Sequence, residues 1–269
     1  VEHADALGSL RRMVSTIGDI DLAVATKKPV DVIAHFINYP HQKIIDEGPQ
    51  GATLLLHSGR QVDLRVQDPD KYGAMLQYFT GSKNHNIKLR ELALSKGLSL
   101  NEYGIKNVRT QKTTAYATEG AFYKAVGLPW IAPELREDKG EIEAALRQGF
   151  DGELSRTAQG KPIGLPKLVE LGDIKGDLHM HTNYEFESSH DVGSDPLSVH
   201  LDKAVGLRYE YIGVSDHNPR TTDRSARQIA HVMKKRYEAY KAMHEAWQKK
   251  TKINIEFFVQ TQDFFQLSF

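Results

Sequence analysis

A multi-domain α/β protein, of the mixed α+β kind, is predicted by three observations on the sequence. Strand-period and helix-period segments alternate along the chain. A Gly-, Ser- and Lys-containing stretch near residues 152–172 interrupts them and marks a domain boundary. A second α/β segment then starts at Gly176, with strands near 176–180 and 210–215 and a long helix around 223–249. The 269 residues suffice for two or three domains, at about 100–150 residues each.

The elements follow in order. Residues 7–25 run from a Gly8-Ser9 turn through a short helix start into a strand, Asp19-Ile20-Asp21-Leu22-Ala23-Val24, whose apolar and polar positions alternate. Pro29 opens an amphipathic helix in which Val30, Ile33, Ala34 and Ile37 share a face. Thr53–His57 and Gln61–Val66 form a hairpin turned at Ser58-Gly59. Asp68-Pro69 caps and starts a helix that runs to about Phe79 and breaks at Gly81. A second helix, about 83–96, ends at Gly97 in a left-handed C-terminal position. The stretch 104–164 carries a weaker pattern, with a charged helix near 137–149. In the long helix Ile229, Met233, Tyr240, Met243 and Trp247 fall near one side, and no internal repeat is present.

Composition narrows the classes. With 40% hydrophobic and 26% charged residues the chain reads as soluble and globular, which excludes a disordered or fibrous protein. The absence of cysteine excludes disulfides and thiolate metal sites and fits a reducing, cytoplasmic setting. No apolar run reaches the roughly 20 residues a membrane helix needs. The N-terminus lacks the basic start and apolar core of a signal peptide. The 35 basic and 35 acidic residues balance, a mild argument against a nucleic-acid binder, because a carboxylate cluster can offset a basic groove.

Chemistry enters with three carboxylates. Asp19 and Asp21 are two apart on a strand and so share a face, while Ile20, Leu22 and Val24 take the other. Asp63 follows the same logic between Val62 and Leu64. If the strands are neighbours, the three converge and repel one another unless divalent cations neutralise them. Mg²⁺ favours such oxygen ligands, and two ions about 3.5–4 Å apart activate a hydroxyl and stabilise a leaving pyrophosphate. Alone, Asp-x-Asp also marks a solvated strand face. Here Gly8-Ser9 offers backbone N–H groups and a hydroxyl for phosphate oxygens, Arg11-Arg12 adds guanidinium charge, and Gly18 directly precedes Asp19.

Gly8-Ser9-Leu10-Arg11-Arg12 followed by Gly18-Asp19-Ile20-Asp21 resembles, at matching spacing, the palm signature of the family X DNA polymerases. Gln61-Val62-Asp63-Leu64-Arg65 resembles their third-carboxylate strand. Tyr78-Phe79-Thr80-Gly81-Ser82 with Asn86 and Arg90 is similar to their nucleotide-pocket and thumb motif, and Asn101-Glu102-Tyr103-Gly104 to the thumb segment after it. The resemblance implies a nucleotidyltransferase palm with a mixed sheet and a small α/β thumb. It implies that Asp19 and Asp21 hold two Mg²⁺ or Mn²⁺ ions, and that Asp63 holds the catalytic one and helps deprotonate a primer 3′-hydroxyl. Gly8, Ser9, Arg12 and Gly18 would serve the triphosphate; Tyr78, Phe79 and Gly81 would shape the sugar pocket. Asn86 would face the incoming nucleotide and Arg90 the template minor groove. The implied partners are gapped or primer–template DNA and a dNTP, with no membrane. Lys83, Lys88, Arg90 and Lys96 are expected to give the second helix a basic face, which suits phosphate contacts and solvent equally.

A second constellation follows the boundary. Asp177-Leu178-His179-Met180-His181 puts two imidazoles on one side of a strand, and Asp216-His217 closes the next. Such ligands at the C-terminal ends of successive strands suit Zn²⁺, Mn²⁺ or Fe. This stretch resembles the start of a PHP (polymerase and histidinol phosphatase) domain, a (β/α) barrel that follows the thumb in bacterial members of the family. Pro129, Pro133-Glu134-Leu135-Arg136 and Gly140-Glu141-Ile142-Glu143 resemble the connection between the two. The resemblance implies a metal-dependent phosphoesterase or 3′–5′ exonuclease with His179, His181 and His217 as ligands. Many members have a Ser-Asp-Gly turn where this chain reads Tyr184-Glu185-Phe186-Glu187-Ser188-Ser189-His190-Asp191, which leaves Glu185 or His190 as substitutes. Glu256 falls where a further ligand strand is expected.

The implied division is palm 1–77, thumb 78–152, linker 153–172 and partial PHP domain 173–269. Nearly all of 5–220 takes part in the resemblance, corresponding to an internal stretch of the family's usual architecture. The expected function is templated addition of deoxynucleotides in short-gap repair. Its rivals are a PHP phosphoesterase with a vestigial palm and a non-catalytic DNA- or nucleotide-binding fragment. A non-templated nucleotidyltransferase shares the carboxylates, but Tyr78-Phe79-Thr80-Gly81-Ser82 favours the templated enzyme.

Overall fold

The computed structural model describes residues 1–148, 164–184 and 192–259. The chain divides into two compact units, Val1–Lys167 and Leu168–Phe269.

The first unit begins with a five-stranded mixed sheet of β1 (His3–Ala6), β2 (Ile20–Ala25), β3 (Lys43–Gly48), β4 (Gly51–Leu55) and β5 (Gln61–Gln67), ordered β1-β2-β5-β4-β3. Only β2 and β5 run parallel; the other pairs are antiparallel. One face carries Val24, Ala52, Leu64 and Val66 against Ile33 of α2 (Pro29–Ile37). On the other, Ala23 and Ala25 pack with Leu7 and with Tyr72, Met75 and Leu76 of α3 (Tyr72–Thr80). Each large apolar side chain so buried contributes about 1.5–3 kcal/mol. The alternation of β2 thus continues with small alanines where the sheet passes under α3, and both strand faces enter the core. Asp19 lies just before β2 rather than within it. Strands β1 and β3 were not expected. β3 reads Lys43-Ile44-Ile45-Asp46-Glu47-Gly48, is mostly exposed, and is irregular in register at Ile44–Asp46, so it shows no clean period of two.

Helix α1 (Gly8–Arg11) sits between β1 and β2, and α4 (Lys83–Ser95) follows α3. Gly97 has φ +72°, the left-handed position expected after α4. A small antiparallel sheet, β6 (Leu98–Asn101), β7 (Gly104–Asn107) and β8 (Thr113–Thr114), occupies part of the stretch with the weak pattern. With α5 (Glu119–Val126) and α6 (Glu141–Gln148) it surrounds a second core, including Leu89, Phe122, Tyr123, Leu128 and Ile131. Helix α3 belongs to both cores, since Ala74 lies in this one and Met75 in the other. The expected boundary after residue 77 therefore falls inside a helix. Gly73 lets α3 touch the start of α5: a Cβ there would lie 2.2 Å from the Thr118 carbonyl carbon.

Helix α4 does not present the expected basic face. Lys88 pairs with Asp138 at 2.7 Å, Lys96 donates to the Val126 carbonyl at 2.6 Å, and Arg90 donates to the Asn86 carbonyl at 3.1 Å. Lys88 and Lys96 thus reach acceptors on other segments, and Arg90 one within its own helix.

The second unit is a β/α succession, β9 (Gly176–Met180), α7 (Leu197–Gly206), β10 (Tyr211–Val214), α8 (Ala226–Thr251) and β11 (Glu256–Val259). Its strands are parallel in sequential order, and among the described residues they form an open three-stranded sheet. Ser225 caps α8 reciprocally with Gln228. The buried positions of α8 are Arg236, Tyr240 and Trp247, with Met243 packed beside them. Among the described residues no helix is long and apolar enough to cross a membrane.

Candidate active site

The parallel register of β2 and β5 sets Asp21 directly opposite Asp63. The two side chains therefore project from the same face, the one α3 covers farther along the sheet. With Asp19 they form a trio whose ligand oxygens all lie within 4.8 Å of one another. Asp19 is exposed, Asp21 half-buried and Asp63 buried. Partial burial raises the Asp21 pKa, and the charges of Asp19 and Asp63 push it the same way, against Arg65 and Arg12. A group so penalised in its charged form gains from a bound cation.

Asp63 is held by two residues that the sequence did not single out. Thr53, opposite it on β4, donates its hydroxyl to one carboxylate oxygen at 2.5 Å, and Gln61 donates its amide to the other at 2.7 Å. Both follow from strand parity and register, since Thr53 and Gln61 share the Asp63 face, but the register is set by the folded hairpin. The hard oxygen donors and the fixed rotamer fit Mg²⁺ or Mn²⁺.

Gly8, with φ +55°, packs against Asp21; a Cβ there would sit 2.1 Å from Asp21 Oδ2. The Leu7 N–H donates to the Asp21 carbonyl at 2.8 Å, which ties α1 to the carboxylate strand. Ser9 is half-buried in the first turn of α1, and Gly18 is exposed with open space around it. Arg12 donates to the Thr80 carbonyl and to Glu137, both at 2.6 Å, so its guanidinium lies beside Gly81. The expected phosphate-binding arginine is therefore already engaged with a carboxylate. Its neighbour Arg11 donates to the Thr80 hydroxyl and, through both terminal nitrogens, to Glu119. Glu119 also accepts from Arg136 at 2.7 Å, and both are buried. This clamp joins α1 to the second core of the unit.

The pocket segment sits at the end of α3. Tyr78 and Phe79 meet edge to face with centroids 5.0 Å apart, and Arg65 lies over the Phe79 ring at 5.2 Å. Gly81 takes φ +69° and ψ −148°, a conformation open in practice to glycine alone. Asn86 donates to the Tyr78 carbonyl at 2.7 Å and accepts from Gln77 at 2.8 Å. Gly8, Arg12, Asp21 and Gly81 are thus linked through short contacts, and Tyr78, Phe79, Asn86 and Arg90 adjoin them along α3 and α4.

In the second unit the three histidines gather at the C-terminal ends of β9 and β10. His179 and His181 have centroids 5.2 Å apart, and His181 and His217 stack at 4.7 Å. Among the described residues, however, the aspartate trio alone brings its ligand atoms within 4.8 Å of one another. Asp216 is buried and accepts from the Thr182 N–H at 2.6 Å and from the Thr182 and Tyr240 hydroxyls. Glu256, the expected further ligand, is exposed and pairs level with Tyr211 and Gly176. It is therefore at the opposite end of the sheet from the histidines, because it opens its strand. Glu185 and His190 lie outside the described residues.

Comparison with known proteins bears on both ends of this site. The family model described as DNA polymerase beta thumb matches residues 75–137. The DNA polymerase/3'-5' exonuclease PolX of Bacillus subtilis (strain 168) is 32% identical over 214 residues, covering 78% of this chain and 34% of the relative. The DNA polymerase lambda of Rattus norvegicus is 28% identical over 166 residues, covering 49% of this chain and 28% of the relative. The chain thus spans about a third of the length of the curated relatives it matches. Its carboxylate trio, its thumb and its similarity across most of its length place the chain in the family X DNA polymerases, of the bacterial type.

Proposed function

We propose that the first unit is a templated nucleotidyltransferase that adds a deoxynucleotide to a primer 3′-hydroxyl in short DNA gaps. The observation that carries this reading is the aspartate trio set beside the Gly8 turn. Asp19, Asp21 and Asp63 are the residues that would hold Mg²⁺ or Mn²⁺, which when bound lowers the pKa of the attacking hydroxyl and neutralises the leaving pyrophosphate. Asp63 takes the 3′-hydroxyl proton at a carboxylate oxygen, in an orientation that Thr53 and Gln61 fix. The Ser9 hydroxyl and the N–H groups of the first turn of α1, which lack intrahelical acceptors, receive the triphosphate beside Arg12. Tyr78, Phe79 and Gly81 bound the sugar, Asn86 faces the incoming nucleotide, and Arg90 reaches the template minor groove. Gly18 leaves the approach to Asp19 open. Gapped or primer–template DNA and a dNTP are the partners, in the cytoplasm.

The test is extension of a labelled primer on one-nucleotide-gapped DNA with Mg²⁺ or Mn²⁺. The intact chain adds one nucleotide and Asp63→Asn does not. Extension by both proteins alike would refute the assignment of Asp63.

The gathered histidines support a second activity, a metal-dependent phosphoesterase of the 3′–5′ exonuclease class within a PHP domain. His179, His181 and His217 would hold Zn²⁺ or Mn²⁺. Degradation of single-stranded DNA from its 3′ end with Mn²⁺ should be lost in His181→Ala and retained in Asp63→Asn. The opposite pattern would assign the degradation to the aspartates.

A further inference from the structure

The two consecutive arginines at the end of α1 are held in different ways. Arg11 is gripped by both oxygens of Glu119, Nη1 donating to Oε1 at 2.9 Å and Nη2 to Oε2 at 2.7 Å. Arg12 meets its carboxylate with one nitrogen, Nε donating to Glu137 Oε1 at 2.6 Å. Its Nη1 donates to the Thr80 carbonyl at 2.6 Å, and among the described residues Nη2 has no hydrogen-bond partner. The Arg12 and Glu137 side chains are 14% and 28% exposed, so the pair is largely shielded while a ligand can still reach it.

The backbone is fixed on both sides of this contact. Arg12 caps α1, its N–H donating to the Gly8 carbonyl at 3.3 Å, one turn from the glycine that packs against Asp21. Glu137 follows Arg136, whose buried guanidinium donates to Glu119 and, at 2.9 and 2.8 Å, to the Ile131 carbonyl. The Arg136 carbonyl in turn accepts from the Ser82 N–H at 3.0 Å. A guanidinium is a planar, rigid fork, so contacts on Nε and Nη1 together fix its plane. A carboxylate that competed with an incoming phosphate would take two nitrogens of the fork, as Glu119 does with Arg11. Glu137 takes Nε, the nitrogen nearest the chain, and leaves the hydrogens of Nη2 for an anion.

We propose that Glu137 is a positioning residue for the phosphates of the nucleotide. It fixes the plane of the Arg12 guanidinium, so that Nη2 is ready for a triphosphate oxygen before the nucleotide arrives. This rests on the reading of the first unit as a nucleotide-adding enzyme. Glu137 is itself an anion and acts only through Arg12. The Thr80 carbonyl shares the task and directly precedes Gly81, so the same guanidinium joins the phosphate side of the site to the sugar side.

Single-nucleotide gap filling by the full chain with Mg²⁺ tests this. Glu137→Ala frees the guanidinium, and the KM for dNTP should rise about threefold to tenfold, the cost of ordering one long side chain on binding. The change in kcat should be smaller than twofold, whereas partial misfolding would lower kcat at an unchanged KM. Glu137→Gln keeps an acceptor oxygen for the Nε–H, so its KM should lie closer to that of the intact chain. In the Arg12→Ala background Glu137→Ala should add no further rise. A KM that falls in either variant would make Glu137 a competitor of the phosphate and overturn the proposal. A rise equally large without Arg12, or a loss confined to kcat, would overturn it too. Inorganic tripolyphosphate with Mg²⁺ needs neither primer nor turnover, and its Kd by calorimetry should rise by a similar factor in Glu137→Ala. If the intact chain adds no nucleotide, the functional reading falls. Tripolyphosphate binding that is absent from the intact chain, or unchanged in Glu137→Ala, would overturn the positioning role separately.

Discussion

Asp21 and Asp63 stand directly opposite each other on neighbouring parallel strands, with a third carboxylate, Asp19, close to both. Without a cation this pairing works against the fold, because burial and like charge both raise the Asp21 pKa. Asp21→Asn is therefore expected to raise the melting temperature measured with a chelator, by about 2–4 °C, the shift that ~1 kcal/mol gives in a domain of this size. The same substitution should remove most of the stabilisation that added Mn²⁺ gives the intact chain. A lower melting temperature in chelator would show that the trio is not repulsive.

Gly8 approaches Asp21 so closely that no side chain fits, and its φ is positive. Gly8→Ala forces either α1 or the carboxylate to move, at a cost of about 1–3 kcal/mol. The expected result is a folded protein with lower urea resistance and gap filling reduced at least tenfold. Full activity at normal stability would mean that α1 can shift freely.

Glu119 accepts from Arg11 and Arg136 and ties α1 to the second core of its unit. Glu119→Gln keeps the shape and leaves two guanidinium groups without their counter-ion, one of them fully buried. Breaking a buried pair on one side costs about 3–5 kcal/mol. Urea unfolding should show a loss of that order, and a loss below about 1 kcal/mol would class the contact with surface ion pairs.

Acid sensitivity follows from Glu141. Burial works to raise its pKa, but the His85 hydrogen bond and the backbone N–H groups of Lys139 and Glu141 hold it down to about 2, against 4.5 ordinarily. The unfolded chain thus takes up this proton first, so the stabilisation is complete above about pH 5 and is lost as the pH falls through about 2. Burial lowers the His85 pKa from 6.5 despite its partner, which adds a loss of the same sign as the pH falls. The urea midpoint should decline from pH 6 to pH 3, and Glu141→Gln should flatten the lower part of that decline. An equal slope in the variant would assign it to other carboxylates.

Much of this was legible in the sequence because it depends on spacing along single elements. The two-residue spacing of Asp19 and Asp21, the Asp68-Pro69 helix start and Gly97 after a helix each carry their own local reason. What the sequence withheld depends on register and on partners far along the chain. Thr53 supports Asp63 only because β4 and β5 pair in one particular register. Arg11 and Arg12 read alike, yet one is drawn to Glu119 and the other to Glu137, more than a hundred residues away. The basic face expected for α4 dissolved for the same reason, since Lys88 and Lys96 find acceptors on other segments. Glu256 was placed by distance along the chain, and the parallel register puts it at the wrong end of its sheet.

Templated addition at the aspartate trio is the activity proposed for this chain. The most direct measurement is single-nucleotide incorporation into a one-nucleotide gap opposite each of the four template bases, with all four dNTPs supplied singly and Mg²⁺ or Mn²⁺ present. Addition of the complementary nucleotide should lie far above that of the other three and should be lost in Asp63→Asn. Equal incorporation of all four nucleotides whatever the template base would contradict it, and would make the trio the centre of a non-templated transferase.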